Sequence, residues 1–393
     1  MSEWKEYKLG DLTVDGKGHY GIAAPAVDYD SSKYTYLRIT DINDDGTLNK
    51  QGLKSVDDVN AGKYLLKPND IVFARTGASV GRSYFYDGSD GDLVYAGFLI
   101  KFSLDPNKVN PYMLKLYTHS QDYYDWIKSV DNGATRGNIN ALTFASMPIV
   151  LPSRYEQDKI AGVLGALDDK IDLLNRENAT LEALAETLFR HYFIENPDPT
   201  WKEGKIADLV DFNPNRKLTK NEDSPYIEMA NIETQGYAPS SWRMRPFASG
   251  TKFINGDAIM ARISPCLENG KAAYIDFLED GQVGWGSTEF LVMRSKMGLH
   301  PFFAYIMTRY DDFRDHAVSS LVGSSGRQRV DLDNLLKYSI FIPDEKAITR
   351  FNQEMEMIVS KMRNNQLQMQ TLAFQRDIIL PRLMSGELKV AAQ

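Results

Sequence analysis

The side chains best equipped for chemistry in this chain are arginines set among glycines. Arg75 opens the run Arg75-Thr76-Gly77-Ala78-Ser79, and Arg82 follows Gly81; the grouping recurs as Arg262-Ile263-Ser264, with Lys271 after Gly270. A planar guanidinium on a loop that glycine leaves open can grip a phosphate or read the acceptors of guanine in a bidentate fashion. A second pair of segments combines flexible backbone with the groups that bond base edges and phosphates. These are residues 133–140, with Arg136, Asn138 and Asn140, and residues 323–329, with Ser324, Arg327, Gln328 and Arg329. Trp242-Arg243-Met244-Arg245 adds a cationic and aromatic patch through Arg243 and Arg245. Solvated turns held by ion pairs, or a core tryptophan between surface arginines, would use the same residue types. Recurrence at one position in two copies favours a shared role.

Signatures of catalysis are missing. The histidines (His19, His119, His191, His300, His316) lack metal-ligand spacing and are read as surface or packing residues. The single cysteine, Cys266, excludes a disulfide framework and a cysteine-based zinc site, and is read as passive. There is no Gly-x4-Gly-Lys-Ser/Thr phosphate loop, so ATP hydrolysis is not expected. No apolar run approaches the roughly 18 residues that span a bilayer. The start Met1-Ser2-Glu3-Trp4-Lys5 carries no secretory pattern, so a cytoplasmic location without membrane contact is expected.

The elements that must position these residues come in two copies. At an offset of about 190 residues the chain matches itself in order, as a duplicated domain would. Trp4-Lys5-Glu6 pairs with Trp201-Lys202-Glu203, Asn69-Asp70 with Gly256-Asp257, Ala74-Arg75 with Ala261-Arg262, and Gly133 with Gly323. Each copy reads as α+β: short β-forming runs such as 70–74 and 95–102 lie between turn residues, and 111–127 and 301–316 carry helical apolar spacing behind a proline. The expected boundaries are domain one at 1–153, a connector helix at 154–195, domain two at 196–343 and a second connector helix at 344–393.

Both connectors carry a heptad seam. In the first it includes Leu164, Ile171, Leu174, Asn178 and Leu181; in the second Met362, Asn365, Met369, Leu372 and Ile379. A seam asparagine is costly unless another polar group faces it. An antiparallel register sets Asn178 against Asn365, Leu174 against Met369, Ile171 against Leu372, Leu181 against Met362 and Leu164 against Ile379, whereas a parallel one leaves both asparagines facing apolar residues. Arg376, opposite Leu167, is the misfit, with its stem expected along the seam and its guanidinium in solvent. Two duplicated α+β domains on an antiparallel coiled coil imply internal pseudo-two-fold symmetry.

Residues 151–160, Leu-Pro-Ser-Arg-Tyr-Glu-Gln-Asp-Lys-Ile, and 380–388, Leu-Pro-Arg-Leu-Met-Ser-Gly-Glu-Leu, resemble the helical regions of the specificity (S) subunits of type I restriction-modification systems. The resemblance covers essentially the whole chain. It implies two target recognition domains that read a bipartite asymmetric site on double-stranded DNA, with the helices as ruler. It also implies docking of two methyltransferase (M) subunits and of restriction (R) subunits. S-adenosylmethionine, ATP and Mg would then reside in the partners, with no cofactor and no catalytic or metal-binding residue in this chain. Residues 343–348, Pro-Asp-Glu-Lys-Ala-Ile, depart from the first copy's Glu-Gln pattern and put the equivalence of the two docking surfaces in doubt. Asn213-Pro214-Asn215 matches the adenine methyltransferase motif only superficially, lacking its second proline and aromatic residue. Two alternatives stay open: a protein-binding coiled-coil scaffold without DNA recognition, and the recognition subunit of a related system whose partner fuses methyltransferase and nuclease.

The net charge of -8 argues at first against nucleic acid. Divided by region it does not. Residues 1–150 hold 16 basic and 19 acidic side chains, while residues 151–200 hold 5 and 10. Most of the excess therefore lies on the first connector, away from the arginine loops.

Overall fold

The computed structural model describes residues 4–50, 52–130, 138–296, 298–324 and 327–390. The chain divides into two compact units, Met1–Lys170 with Thr371–Gln393, and Ile171–Gln370, so each unit takes in part of both long helices.

Unit 1 contains strands β1 (Lys5–Lys8), β2 (His19–Tyr20), β3 (Ala26–Asp28), β4 (Tyr34–Leu37), β5 (Lys54–Val56), β6 (Asp70–Ala74), β7 (Ser83–Tyr86), β8 (Leu93–Tyr95), β9 (Leu99–Ser103) and β10 (Pro148–Leu151). Its helices are α1 (Pro111–Tyr117), α2 (Gln121–Val130), α3 (Ala141–Ala145) and the start of α4 (Arg154–Phe189). One sheet has the order β2-β9-β6-β7 and a second β3-β5-β4-β8, while β1 pairs with β10. Every residue of β6 is buried, because successive side chains point to opposite faces and both faces are covered. Val72 and Ala74 meet Leu37 and Tyr95 of the second sheet; Ile71 and Phe73 meet Met113, Leu114, Tyr123 and Phe144 from the helices.

Unit 2 repeats the scheme with β11 (Lys202–Lys205), α5 (Ile206–Leu209), β12 (Val210–Phe212), β13 (Asp223–Ile227), β14 (Arg243–Pro246), β15 (Thr251–Phe253), β16 (Ala258–Ala261), β17 (Ala272–Tyr274), β18 (Gly284–Gly286) and β19 (Phe290–Ser295). It continues through α6 (Phe302–Arg309), α7 (Asp311–Ser319), β20 (Leu321–Val322), β21 (Arg329–Val330), α8 (Leu332–Leu335), β22 (Ser339–Ile342) and α9 (Glu345–Met384), whose residues from Thr371 onward belong to unit 1. The sheet β12-β19-β16-β17 and the pair β11-β22 correspond to those of unit 1, while the second sheet, β14-β13-β18-β15, shares three strands with its counterpart: β14-β13-β18 match β5-β4-β8, and the outer strands β3 and β15 lie on opposite edges.

A buried aspartate anchors the central strand in each copy. Asp70 accepts the Lys67 amide at 2.8 Å and the Ser103 hydroxyl at 2.6 Å, with Lys101 at 3.2 Å. Asp257 accepts the Ile254 amide at 2.9 Å and pairs with Arg294 at 2.5 Å and Arg216 at 3.3 Å. A carboxylate out of water requires such partners. The preceding residue is left-handed both times, Asn69 at φ 75° and Gly256 at φ 85°, which suits the asparagine and glycine found there.

The runs 111–127 and 301–316 each form two helices rather than one. After α1 the hydroxyls of Thr118 and Ser120 bond back to the Lys115 and Tyr117 carbonyls, and the Ser120 hydroxyl accepts the Tyr123 amide. Such local bonds compete with helix continuation. Between α6 and α7, Tyr310 is extended (φ -70°, ψ 121°), and Asp311 and Asp312 occupy the first turn of α7, where negative charge suits the helix dipole.

The long helices run antiparallel. In unit 2 the Asn365 Nδ2 donates to Asn178 Oδ1 at 2.9 Å and to Glu177 Oε2 at 3.0 Å, Asn178 donates to the Met362 carbonyl at 3.3 Å, and Phe193 meets Phe351 with ring centroids 4.9 Å apart. Leu174, Met362 and Met369 are buried there, and Leu181 is partly so. Ile171 and Leu372 are half-buried. In unit 1 Leu164 is fully buried and Ile379 packs against the same cluster. The Arg376 guanidinium pairs with Asp168 at 3.0 Å instead of lying in solvent, because Asp168 also holds Lys115 and the Tyr112 hydroxyl and forms a polar node beside the seam. Burial pushes the Asp168 carboxyl up, but Lys115, Tyr112 and Arg376 together hold it below the ordinary range.

Candidate nucleic-acid interface

In unit 1 the chain leaves β6 at Arg75 and stays in ladder-like pairing. The Arg75 amide donates to the Phe98 carbonyl at 3.1 Å, the Ile139 amide donates to the Arg75 carbonyl at 2.9 Å, and Thr76 bridges Asn138. The Arg75 guanidinium lies over the Tyr20 ring, 4.9 Å from its centre, and donates to Asn138 Oδ1 at 3.1 Å. The Tyr20 hydroxyl in turn accepts the Ala141 amide. The Arg75 head is therefore fixed on two sides while its bond to Asn138 stays at the surface.

Unit 2 builds the same junction. The Arg262 amide donates to the Glu289 carbonyl at 2.9 Å, the Val330 amide donates to the Arg262 carbonyl at 2.9 Å, and Ile263 bridges Arg329. Phe98 thus corresponds to Glu289, and Asn138 to Arg329. Arg262 donates to the Val330 carbonyl at 2.9 Å, and Arg329 grips Glu289 through Nε and Nη2 at 2.6 to 3.0 Å. Those bonds hold the Glu289 carboxyl below its usual range. The Nε of both Arg75 and Arg262 is buried without a hydrogen-bond partner among the described residues.

Supporting side chains occupy the same ends of the sheets. The parallel pairs β4 with β8 and β13 with β18 deliver residues 38 and 96–98, and residues 228 and 287–289, to these junctions. Arg82 pairs with Asp44 at 2.7 Å and donates to the Ile42 carbonyl; Lys271 donates to the Met229 carbonyl at 3.2 Å. Each cation ties its domain's neighbouring turn to the strand end. Arg243 and Arg245 project from the exposed edge strand β14. Arg243 pairs with Glu228 at 2.9 Å, and Arg245 lies over Tyr226 at 4.7 Å. Trp242 is surface-exposed and stacks on Phe277.

The other sequence candidates have more local positions. Asn140 caps α3 by accepting the Thr143 amide at 2.9 Å. The Gln328 carbonyl accepts the Ser264 amide and the Ser324 carbonyl the Arg327 amide, with Ser324 and Arg327 exposed. Arg136 lies outside the described residues. Sequence reading missed Tyr20, Phe98 and Glu289. Tyr20 and Phe98 are large rings left exposed, yet an aromatic residue near a strand reads as core until its neighbours are known.

Among the described residues no group of three or more His, Cys, Asp or Glu could hold a metal ion, and no helix is long and apolar enough to cross a membrane. The two junctions offer hydrogen-bond donors and positive charge, with the Tyr20 ring face added in unit 1.

The chain is 21 % identical over 99 % of its length to the specificity subunit of the type I restriction enzyme HindI from Haemophilus influenzae, covering all of that protein. It is 25 % identical to the MjaIX specificity subunit from Methanocaldococcus jannaschii over 71 % of this chain and 68 % of that one. Its fold matches the crystal structure of a type I restriction-modification S subunit from M. genitalium with a TM-score of 0.54, 14 % identity and coverage of 100 % of this chain and 97 % of the other. Since residues 1–183 and 199–373 both match the type I restriction modification DNA specificity domain, the chain belongs to that family.

Proposed function

We propose that this chain is the non-catalytic DNA-recognition subunit of a type I restriction-modification enzyme. Residues 1–153 and 196–343 act as target recognition domains, and the connectors 154–195 and 344–393 serve as spacer and as docking surface for methyltransferase and restriction subunits. S-adenosylmethionine, ATP and Mg act in those partners. The observation that carries the reading is the repeated strand-end junction, with the same backbone pairing around Arg75 and Arg262 but different side chains around each. A shared frame with divergent chemistry suits two domains that engage two different half-sites. Phosphate attraction is weak in a chain of net charge -8, so binding by the isolated chain is weak and salt-sensitive, and the partner subunits supply much of it.

Selection of a random duplex library by the complex of this chain with its methyltransferase partner tests the reading. Enrichment of a bipartite motif supports it. Recovery of no motif from an intact complex overturns it in favour of a protein-binding scaffold.

A further inference from the structure

Positions 98 and 289 hold the same place in their domains, each giving its carbonyl to the amide of the strand-end arginine. Their side chains are chemical opposites. In β6 and β9, Phe73 faces Ile100. Beyond the strand ends Arg75 and Phe98 stay joined by that backbone bond, with Phe98 in the turn that leads into β9. Tyr20, paired with Ile100, lies with its ring under Arg75. Phe98 is 60 % exposed and belongs to none of the apolar clusters of unit 1. A residue with an exposed phenyl ring is thus bonded through its backbone to an arginine whose direction is fixed by Tyr20 and Asn138. In unit 2 the same place carries a carboxylate that holds the Nε and Nη2 edge of Arg329, a side chain half exposed to solvent.

We propose that this place is the specificity-determining position of each domain. Phe98 packs against the 5-methyl group of a thymine next to the base engaged by Arg75, and Glu289 orients Arg329 toward a guanine. The 5-methyl of thymine is an apolar group on the major-groove edge of the bases, and guanine presents the paired acceptors that a guanidinium matches. The inference rests on the DNA-recognition reading above. Burial of one methyl group contributes ~0.8 kcal/mol, about a fourfold change in affinity.

The test uses the complex with its methyltransferase partner and the duplex that library selection returns, with each thymine replaced in turn by deoxyuridine, which lacks only the methyl group. One thymine in one half-site should show about fourfold weaker binding on replacement. Phe98→Ala should bind the thymine and deoxyuridine duplexes equally, and Phe98→Leu should keep part of the difference. If no thymine is sensitive, if the sensitivity survives in both variants, or if both variants lose affinity while the thymine to deoxyuridine ratio stays unchanged, the proposal fails. Failure to select any motif would instead overturn the DNA reading itself.

Discussion

At the scale of single residues, the arginines divide by what holds them. Arg75 keeps a surface bond to a neutral amide and a cation–π contact, while Arg82 is bound to a carboxylate and a carbonyl of its own domain. Arg75→Ala is expected to relax one base position within one half-site and to leave the other half unchanged, with a discrimination loss of about 1 to 3 kcal/mol for a lost bidentate contact; motif selection with the variant complex reads both halves at once. Asp276 gives a prediction about stability. Burial pushes its carboxyl up to about 6, with Arg363 and Tyr237 opposing the rise. Because the folded value exceeds the ordinary 3.8, its favourable contribution is present below pH 3.8 and is lost as pH rises through 6. Asp276→Asn should therefore raise stability at pH 7.5 by up to about 3 kcal/mol and have little effect near pH 4, as denaturant titrations at the two pH values would measure.

At the scale of elements, the helix pair is organised by a polar contact inside an apolar seam. Asn365 is fully buried and Asn178 nearly so, each bonded to the other helix. Replacing either by leucine removes the bond between the two buried amides, at a cost of about 1 to 3 kcal/mol. The double variant Asn178→Leu with Asn365→Leu should recover most of that loss, and a double-mutant cycle by denaturation of the full chain checks it. Additive losses would mean that the two amides do not depend on each other. The Asp168 node shows the complementary case. Its three partners come from two elements of unit 1 besides α4, so a polar group next to the seam is kept by pairing rather than by solvent.

For the whole molecule, the expected consequence of helix length is a fixed gap between the two half-sites. Inserting one heptad into both connectors, in the register that keeps Asn178 opposite Asn365, should change the gap and leave the half-site sequences alone; methylome sequencing of a host carrying the altered complex would report both. An unchanged gap would contradict the ruler role.

The duplication, the α+β character, the antiparallel seam and its register were all legible in the sequence, because periodicity and internal matching are one-dimensional signals. A buried asparagine pair fixes register through a local rule that needs no coordinates. The division of 111–127 and 301–316 into two helices each was less accessible, since hydroxyl bonding at Ser120 and the extended Tyr310 compete with an intact apolar spacing. The matching placement of Arg75 and Arg262 was legible in the sequence because they repeat. The positions of Tyr20, Phe98 and Glu289 around them were not, because these depend on which strand lies beside which. Sequence alone determined that two like domains alternate with two long helices. Only the tertiary structure decided which side chains stand around each arginine, because strands distant in the chain become neighbours through backbone pairing that the side-chain pattern does not encode.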